Sequence, residues 1–210
     1  MKILKYISFL FWIFILCQCR DSNSLPVFVR DLPQAKNGKS NVIEGVRATR
    51  DSLGLDNLEN GYDSLQIRIW LPAALQDRLQ VLSLKCNNGC WHGYICRASF
   101  TRNDWGDSLK RYSSIHCEPV ISADWSKIVD SLIQFHIMTL PDWRQVISVD
   151  DAAGAKGSIV IVEIGESHRY RLYSYIYPEA FRNKVKEASD MCKIIEFLST
   201  RLGIHFALSS

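Results

Sequence analysis

The chain has almost no surplus of either charge. Twenty-five Lys and Arg against 22 Asp and Glu leave +3 over 210 residues, and no long basic run concentrates it. Nucleic-acid binding draws on clustered cations that neutralise phosphates, so this balance excludes nucleic acid as an expected partner. There is no internal repeat and no low-complexity tract. The apolar run near the start, residues 6–16, has eleven residues. That falls short of the roughly 20 a helix needs to span the hydrocarbon of a bilayer. What the chain does have is core material, with 47% apolar and 11% aromatic residues. Its length suits one domain, or one domain and a tether.

The first residues, Met1-Lys2-Ile3-Leu4-Lys5, place two cations before the apolar run Tyr6 to Leu16, which is broken only by Ser8. That order reads as the n- and h-regions of an export signal. Leu16-Cys17-Gln18-Cys19-Arg20 follows, and a cysteine closing an h-region resembles a bacterial lipobox. Leu16 stands three before Cys19, as in that pattern, while Gln18 occupies a place usually held by a small residue. Cys17 is the rival position. The looser form resembles the lipoboxes of Bacteroidota lipoproteins. The resemblance implies a signal peptide over residues 1–19 and lipid attachment at Cys19. It implies an envelope location, in the inner or outer membrane, with the domain facing the periplasm. Without residues 1–18 the chain keeps 192 residues and, having lost Lys2 and Lys5, a charge of +1.

Residues 20–64 read as a tether and irregular lead-in: polar, with Pro26 and Pro33 in the first half and Gly54 and Gly61 in the second. Residues 65–210 read as a single α+β domain. Leu65 to Trp70, Leu79 to Lys85, Trp91 to Thr101 and Arg111 to Cys117 have the alternation of strands, with Asn87-Asn88-Gly89 as one turn. Trp125, Ile128, Val129, Leu132 and Ile133 line a helical face capped by Ser122 or Asp124 and ending before Leu140-Pro141. Asp150 to Gly157 reads as a loop. Ile159 to Ile164 and Tyr170 to Tyr177 read as a hairpin around Glu166-Ser167-His168, and Val185, Ala188, Cys192, Ile195, Leu198 and Leu202 as a final helix closed by Gly203. The expectation is an antiparallel, meander-like sheet with two helices on one face and the other face partly open to water.

The stretch from Trp125 to Leu202 also resembles small uncharacterised envelope lipoproteins of Bacteroidota. The features are Trp125 opening an amphipathic helix, Leu140-Pro141-Asp142, Glu163 on a strand, Tyr170-Arg171-Leu172-Tyr173-Ser174-Tyr175 with Pro178-Glu179, and a closing helix. The resemblance implies a shared fold and location; no activity comes with it.

Five cysteines follow Cys19. In an exported protein pairing is favoured, and spacing predicts Cys86 with Cys90 across a turn and Cys96 with Cys117 across two strands. Cys192, on the apolar face of the last helix, reads as a buried thiol. The competing reading is zinc held by Cys86, Cys90, His92, Cys96, His116 and Cys117, whose spacing matches no standard pattern.

Gly106-Asp107-Ser108-Leu109 spells the signature of GDSL esterases, in which the serine is the nucleophile. The family's histidine lies three residues after an aspartate, and no histidine here does so. Cys90 with His92, or His116 with Cys117, would make a thiol–imidazole pair, but His116 and Cys117, as neighbours on a strand, point to opposite faces, and a catalytic thiol must stay reduced. Asp150-Asp151 lacks the ligand count of a calcium loop. No cofactor is called for. The remaining candidate is one face of the last hairpin strand, Arg169, Arg171, Tyr173, Tyr175 and Tyr177, with Tyr170, Leu172, Ser174 and Ile176 on the core face. A three-residue hairpin loop would set Glu163 opposite Arg171 and Ile161 opposite Tyr173. Tyr and Arg are common contact residues, so the stripe is a candidate surface for a protein or glycan partner; Trp70, Trp91 and Trp105 are not assigned to a face. The reading is a non-catalytic binding or scaffolding lipoprotein. The alternatives are an envelope immunity protein or, in another class, a serine esterase or zinc enzyme.

Overall fold

The computed structural model describes residues 28–33, 41–72, 78–100, 112–121, 124–156 and 159–204. The elements are β1 (Val29–Asp31), α1 (Asn41–Ser52), β2 (Leu65–Pro72), β3 (Arg78–Asn87), β4 (Cys90–Phe100), β5 (Tyr112–Pro119), α2 (Trp125–Gln134), α3 (Val149–Ala152), β6 (Ile159–Glu166), β7 (Arg169–Ile176), α4 (Pro178–Phe181) and α5 (Lys186–Leu202). One seven-stranded sheet runs β1-β7-β6-β2-β3-β4-β5. Every pairing is antiparallel except β1 with β7. The expected α+β class and largely meandering sheet are present. No helix among the described residues is long and apolar enough to cross a membrane.

Strand alternation divides the side chains between two cores. Ile67, Ile69, Leu82, Leu84, Ile95, Val160, Val162 and Ile164 enter the larger one, with Ile128, Val129 and Leu132 of α2 and Ala188, Met191, Ile195 and Leu198 of α5. The smaller core takes Trp70, Leu79, Val81, Cys96, Ala98, Tyr170 and Leu172, with Ile43 and Val46 of α1 and the following Leu53 and Leu58. The second face is therefore covered, where sequence predicted it partly open. Elements β1 and α1 lie inside the stretch read as an irregular lead-in. The stripe along α1 and into the residue after it is Ile43, Val46, Arg50 and Leu53, all buried, so a charged residue interrupts its apolar spacing.

Local chemistry explains the other boundaries. Asn88 and Gly89 both have positive φ, 51° and 77°, which makes a two-residue turn whose twist matches its strands. Asp124 caps α2 through the Lys127 N–H at 3.2 Å. Gly203 (φ 60°) closes α5. Part of the expected loop after residue 150 is the short α3: Ser148 Oγ accepts from Asp151 N–H at 3.0 Å and donates to its carboxylate at 2.6 Å. The Asp150-Asp151 pair thus serves a helix start.

The indole ring of Trp125 of α2 packs against β4 at Gly93, where any Cβ would collide with it. Gly93→Ala should push the ring out and cost about 1–3 kcal/mol by overpacking. A lowered urea midpoint with an unchanged m-value would show it; an unchanged midpoint would refute this role for Gly93.

Candidate functional site

The most heavily charged feature of the interior was not anticipated from sequence. Antiparallel pairing of β2 with β6 sets Arg68 directly opposite Glu163. Arg68 Nη1 reaches Glu163 Oε2 at 2.7 Å, and both side chains are 0% exposed. Trp70 Nε1 donates to Oε2 at 3.2 Å and the Tyr170 hydroxyl to Oε1 at 3.1 Å. Arg68 Nη2 donates to the Asp56 carbonyl at 3.1 Å. A buried carboxylate is tolerable only with such partners, because its desolvation is otherwise uncompensated. Burial, and then the adjacent Glu163 charge, push the Tyr170 hydroxyl well above its ordinary range, so it remains a neutral donor. Next to the pair, the Gln66 amide, Arg68 Nε and Ser83 Oγ are buried with no hydrogen-bond partner among the described residues.

The segment after α1 lies against this polar layer. Lys85 binds the Asp56 carboxylate and lies 5.1 Å from the Tyr94 ring centroid. Glu59 takes Arg47 Nη2 at 2.6 Å and Arg50 Nη1 at 3.0 Å, and Asn57 Oδ1 ties Arg50 to the Glu59 N–H. The arginines, Arg47 foremost, hold the Glu59 carboxyl below its usual range, against the opposing effect of burial. Chemically the arrangement is a clamp. The Glu59 and Glu163 carboxylates each accept at least three hydrogen bonds, and the Arg68–Glu163 pair has no contact with solvent.

The tyrosine stripe lies elsewhere than expected. The β6–β7 turn is two residues, 167 and 168, so Glu163 faces Leu172, Ile164 faces Arg171 and Ile161 faces Ser174. The predicted Glu163–Arg171 and Ile161–Tyr173 pairings are corrected by this one-residue change of register, which moves each partner to the other face. Tyr173 and Tyr175, at 1% and 0% exposure, belong to the larger core. The Tyr173 hydroxyl donates to the Ile137 carbonyl at 2.6 Å. Arg171, also buried, stacks 4.7 Å from the Tyr173 ring centroid and donates to Asp31 at 2.8 Å, to the Met138 carbonyl at 2.6 Å and to the Leu140 carbonyl. Asp142 Oδ2 accepts from both the N–H and the hydroxyl of Ser174. Residues 137–142 thus cover the stripe, leaving Arg169 exposed and Tyr177 half-buried. As a recognition surface it is replaced by a packing surface. Trp70 is buried in the smaller core and Trp91 packs against the larger.

Cys96 and Cys117 are joined, as predicted, at directly opposed positions of β4 and β5. Cys86 and Cys90 are thiols. The two-residue turn puts Cys86 opposite Trp91 and Cys90 opposite Asn87; adjacent registers face opposite ways, so the predicted bond has no geometry. Burial pushes the Cys192 thiol up to about 12. Among the described residues no three His, Cys, Asp or Glu side chains converge as a metal site, and two of the proposed zinc thiolates are bound to each other. His116 lies 3.4 Å from Glu118. Cys17, Cys19, Trp105 and Ser108 lie outside the described residues.

Comparison of the chain with known protein families, with curated proteins and with solved structures returns no match. The site is therefore read from its own geometry. The signal for it was present as a charge in the middle of each of two apolar strands, Arg68 and Glu163.

Two predictions follow from the clamp. Glu163→Leu strands the Arg68 charge and should cost about 3–5 kcal/mol in chemical denaturation. Arg68→Met combined with Glu163→Leu should cost less than that single change; an equal or larger loss would refute the pairing. Glu59, whose folded pKa is depressed, stabilises above its unfolded value, ordinarily ~4.3. The advantage of wild type over Glu59→Gln should be full at pH 7 and vanish as pH falls through the lowered value. An advantage that does not change with pH would count against the arginine contacts.

Proposed function

We propose that this protein is an envelope lipoprotein of the Bacteroidota type, anchored through Cys19, whose α+β domain is a non-catalytic binding or scaffolding module on the periplasmic side. The observation that carries the reading is the Cys96–Cys117 bond. Persistent disulfides belong to oxidising compartments, which agrees with an export signal at the N-terminus. The sealed clamp supports a structural rather than a reactive use of the buried charges. We also read α2 and α5 as lying on the same face of the sheet, since side chains of both enter the larger core.

Anchoring at Cys19 would also limit reach. Val29, the first residue of β1, is ten residues further on, so the sheet would stand at most about 35 Å from the acylated residue. The β1 edge would then lie nearest the bilayer, with β5 at the far end of the strand order.

Intact mass and thiol labelling of protein purified from membranes test this. The expected N-terminal peptide begins at Cys19 and carries acyl chains. Cys96 and Cys117 should be oxidised, Cys90 should label in the native state, and Cys192 only on unfolding. An unmodified N-terminus, or Cys96 and Cys117 both reduced, would overturn the reading.

A further inference from the structure

Strand β5 ends the sheet, and no described residue pairs with its outer side. Which of its backbone groups face outward follows from the ladder. Cα atoms of Cys96 and Cys117 are 4.0 Å apart, the spacing of an antiparallel pair that exchanges no backbone hydrogen bonds. The Val120 N–H donates to the Gly93 carbonyl at 2.9 Å, so the alternate residues 116, 118 and 120 bond inward. The N–H groups of Ile115 and Cys117, and the carbonyls of Ile115, Cys117 and Pro119, therefore point away from the sheet. Pro119, which has no N–H, falls on the outward set, where none is needed for the ladder.

The side chains sort by the same alternation. Ile115, Cys117 and Pro119 share a face with Ala98, Cys96 and Tyr94, while His116 and Glu118 share the other face with Arg97 and Ile95. Ile115 is 46% exposed and Ile121, just past the strand, 98%. Edges this open are normally blunted by a covering element or by charges pointing along the sheet. Here the disulfide instead holds the strand in place.

We propose that β5 pairs antiparallel with β5 of a second copy of this chain, about a two-fold axis passing beside Cys117. In that register Cys117 faces its own counterpart and Ile115 faces Pro119. Each Cys117 N–H donates to the other's Cys117 carbonyl, and each Ile115 N–H to the other's Pro119 carbonyl. Every outward donor of residues 115–119 is used, and Pro119 is asked only to accept. Side-chain pairing selects this register: His116 comes opposite Glu118 of the other chain, twice, whereas a two-residue shift would set His116 against His116 or Glu118 against Glu118. Isologous pairing of this kind closes the assembly at two copies. Residues Ile115, Cys117 and Pro119 continue as one apolar row through the junction.

The inference rests on the reading of the domain as a binding module and not on its anchor. Sedimentation equilibrium of the purified full-length protein, in density-matched detergent where the acylated form is used, tests it directly. Wild type should sediment at twice the chain mass. Ile115→Pro removes an outward N–H without breaking the β4–β5 ladder, and should halve the mass while the Cys96–Cys117 bond and circular dichroism are unchanged. His116→Glu, which sets carboxylates against each other across the axis, should do the same and decides the matter if the proline variant fails to fold. A monomeric wild type overturns the pairing and leaves the anchor, read by mass spectrometry, untouched. A dimer retained by either folded variant also overturns it.

Discussion

The Arg68–Glu163 pair is the constraint around which the sheet is organised. It joins β2 to β6, the strand pairing that connects the β2 to β5 meander to the β6–β7 hairpin. A charged pair with no exposure has little tolerance for misalignment, because a slip of one residue in either strand would move its charged group to the other face and leave both without a partner. Trp70 and Tyr170 then bind the same carboxylate from β2 and β7, so three adjacent strands are held in one register by a single group.

The two faces are stabilised differently. The larger core is apolar and takes its helices by packing. The smaller one mixes Trp70, Val81 and Leu172 with a layer of ions, and its covering segment is held by Asp56, Asn57 and Glu59 as much as by Leu53 and Leu58. Arg171 repeats this arrangement on the opposite face, where its guanidinium gathers Asp31 and two carbonyls of the 137–142 segment. Irregular backbone on both sides of the sheet is thus docked by arginine, whose planar donors suit several acceptors at once.

What could be read from sequence was the part governed by local periodicity. The strands from Leu65 onward, the helices α2 and α5 with their caps, and the cross-strand Cys96–Cys117 bond follow from alternation, apolar spacing and turn residues. What could not be read depended on distant partners. The stripe on α1 has Arg50 where an apolar residue would reveal it, and Arg50 is buried because Glu59, nine residues on, receives it. Strand β1 has three residues and, among the described residues, pairs with β7, near the far end of the chain. The tyrosine face of β7 was legible as a stripe, but its burial depended on the 137–142 segment lying over it. The register errors had one cause: the β3–β4 and β6–β7 turns proved to be two residues rather than three, which put Cys86 and Cys90 on opposite faces and separated Glu163 from Arg171.

The order of the strands also fixes when the domain can be finished. The centre of the sheet joins Arg68 to Glu163, 95 positions apart, and its near edge joins Asp31 to Arg171, 140 apart. Such long closures slow folding relative to local pairing. The meander from β2 to β5 can form early, but Arg68 has no counter-charge and Asp31 no cation until the last third of the chain arrives. A chain emerging N-terminus first from the ribosome would therefore carry an open, incomplete sheet through most of its synthesis and close only when β6 and β7 are delivered.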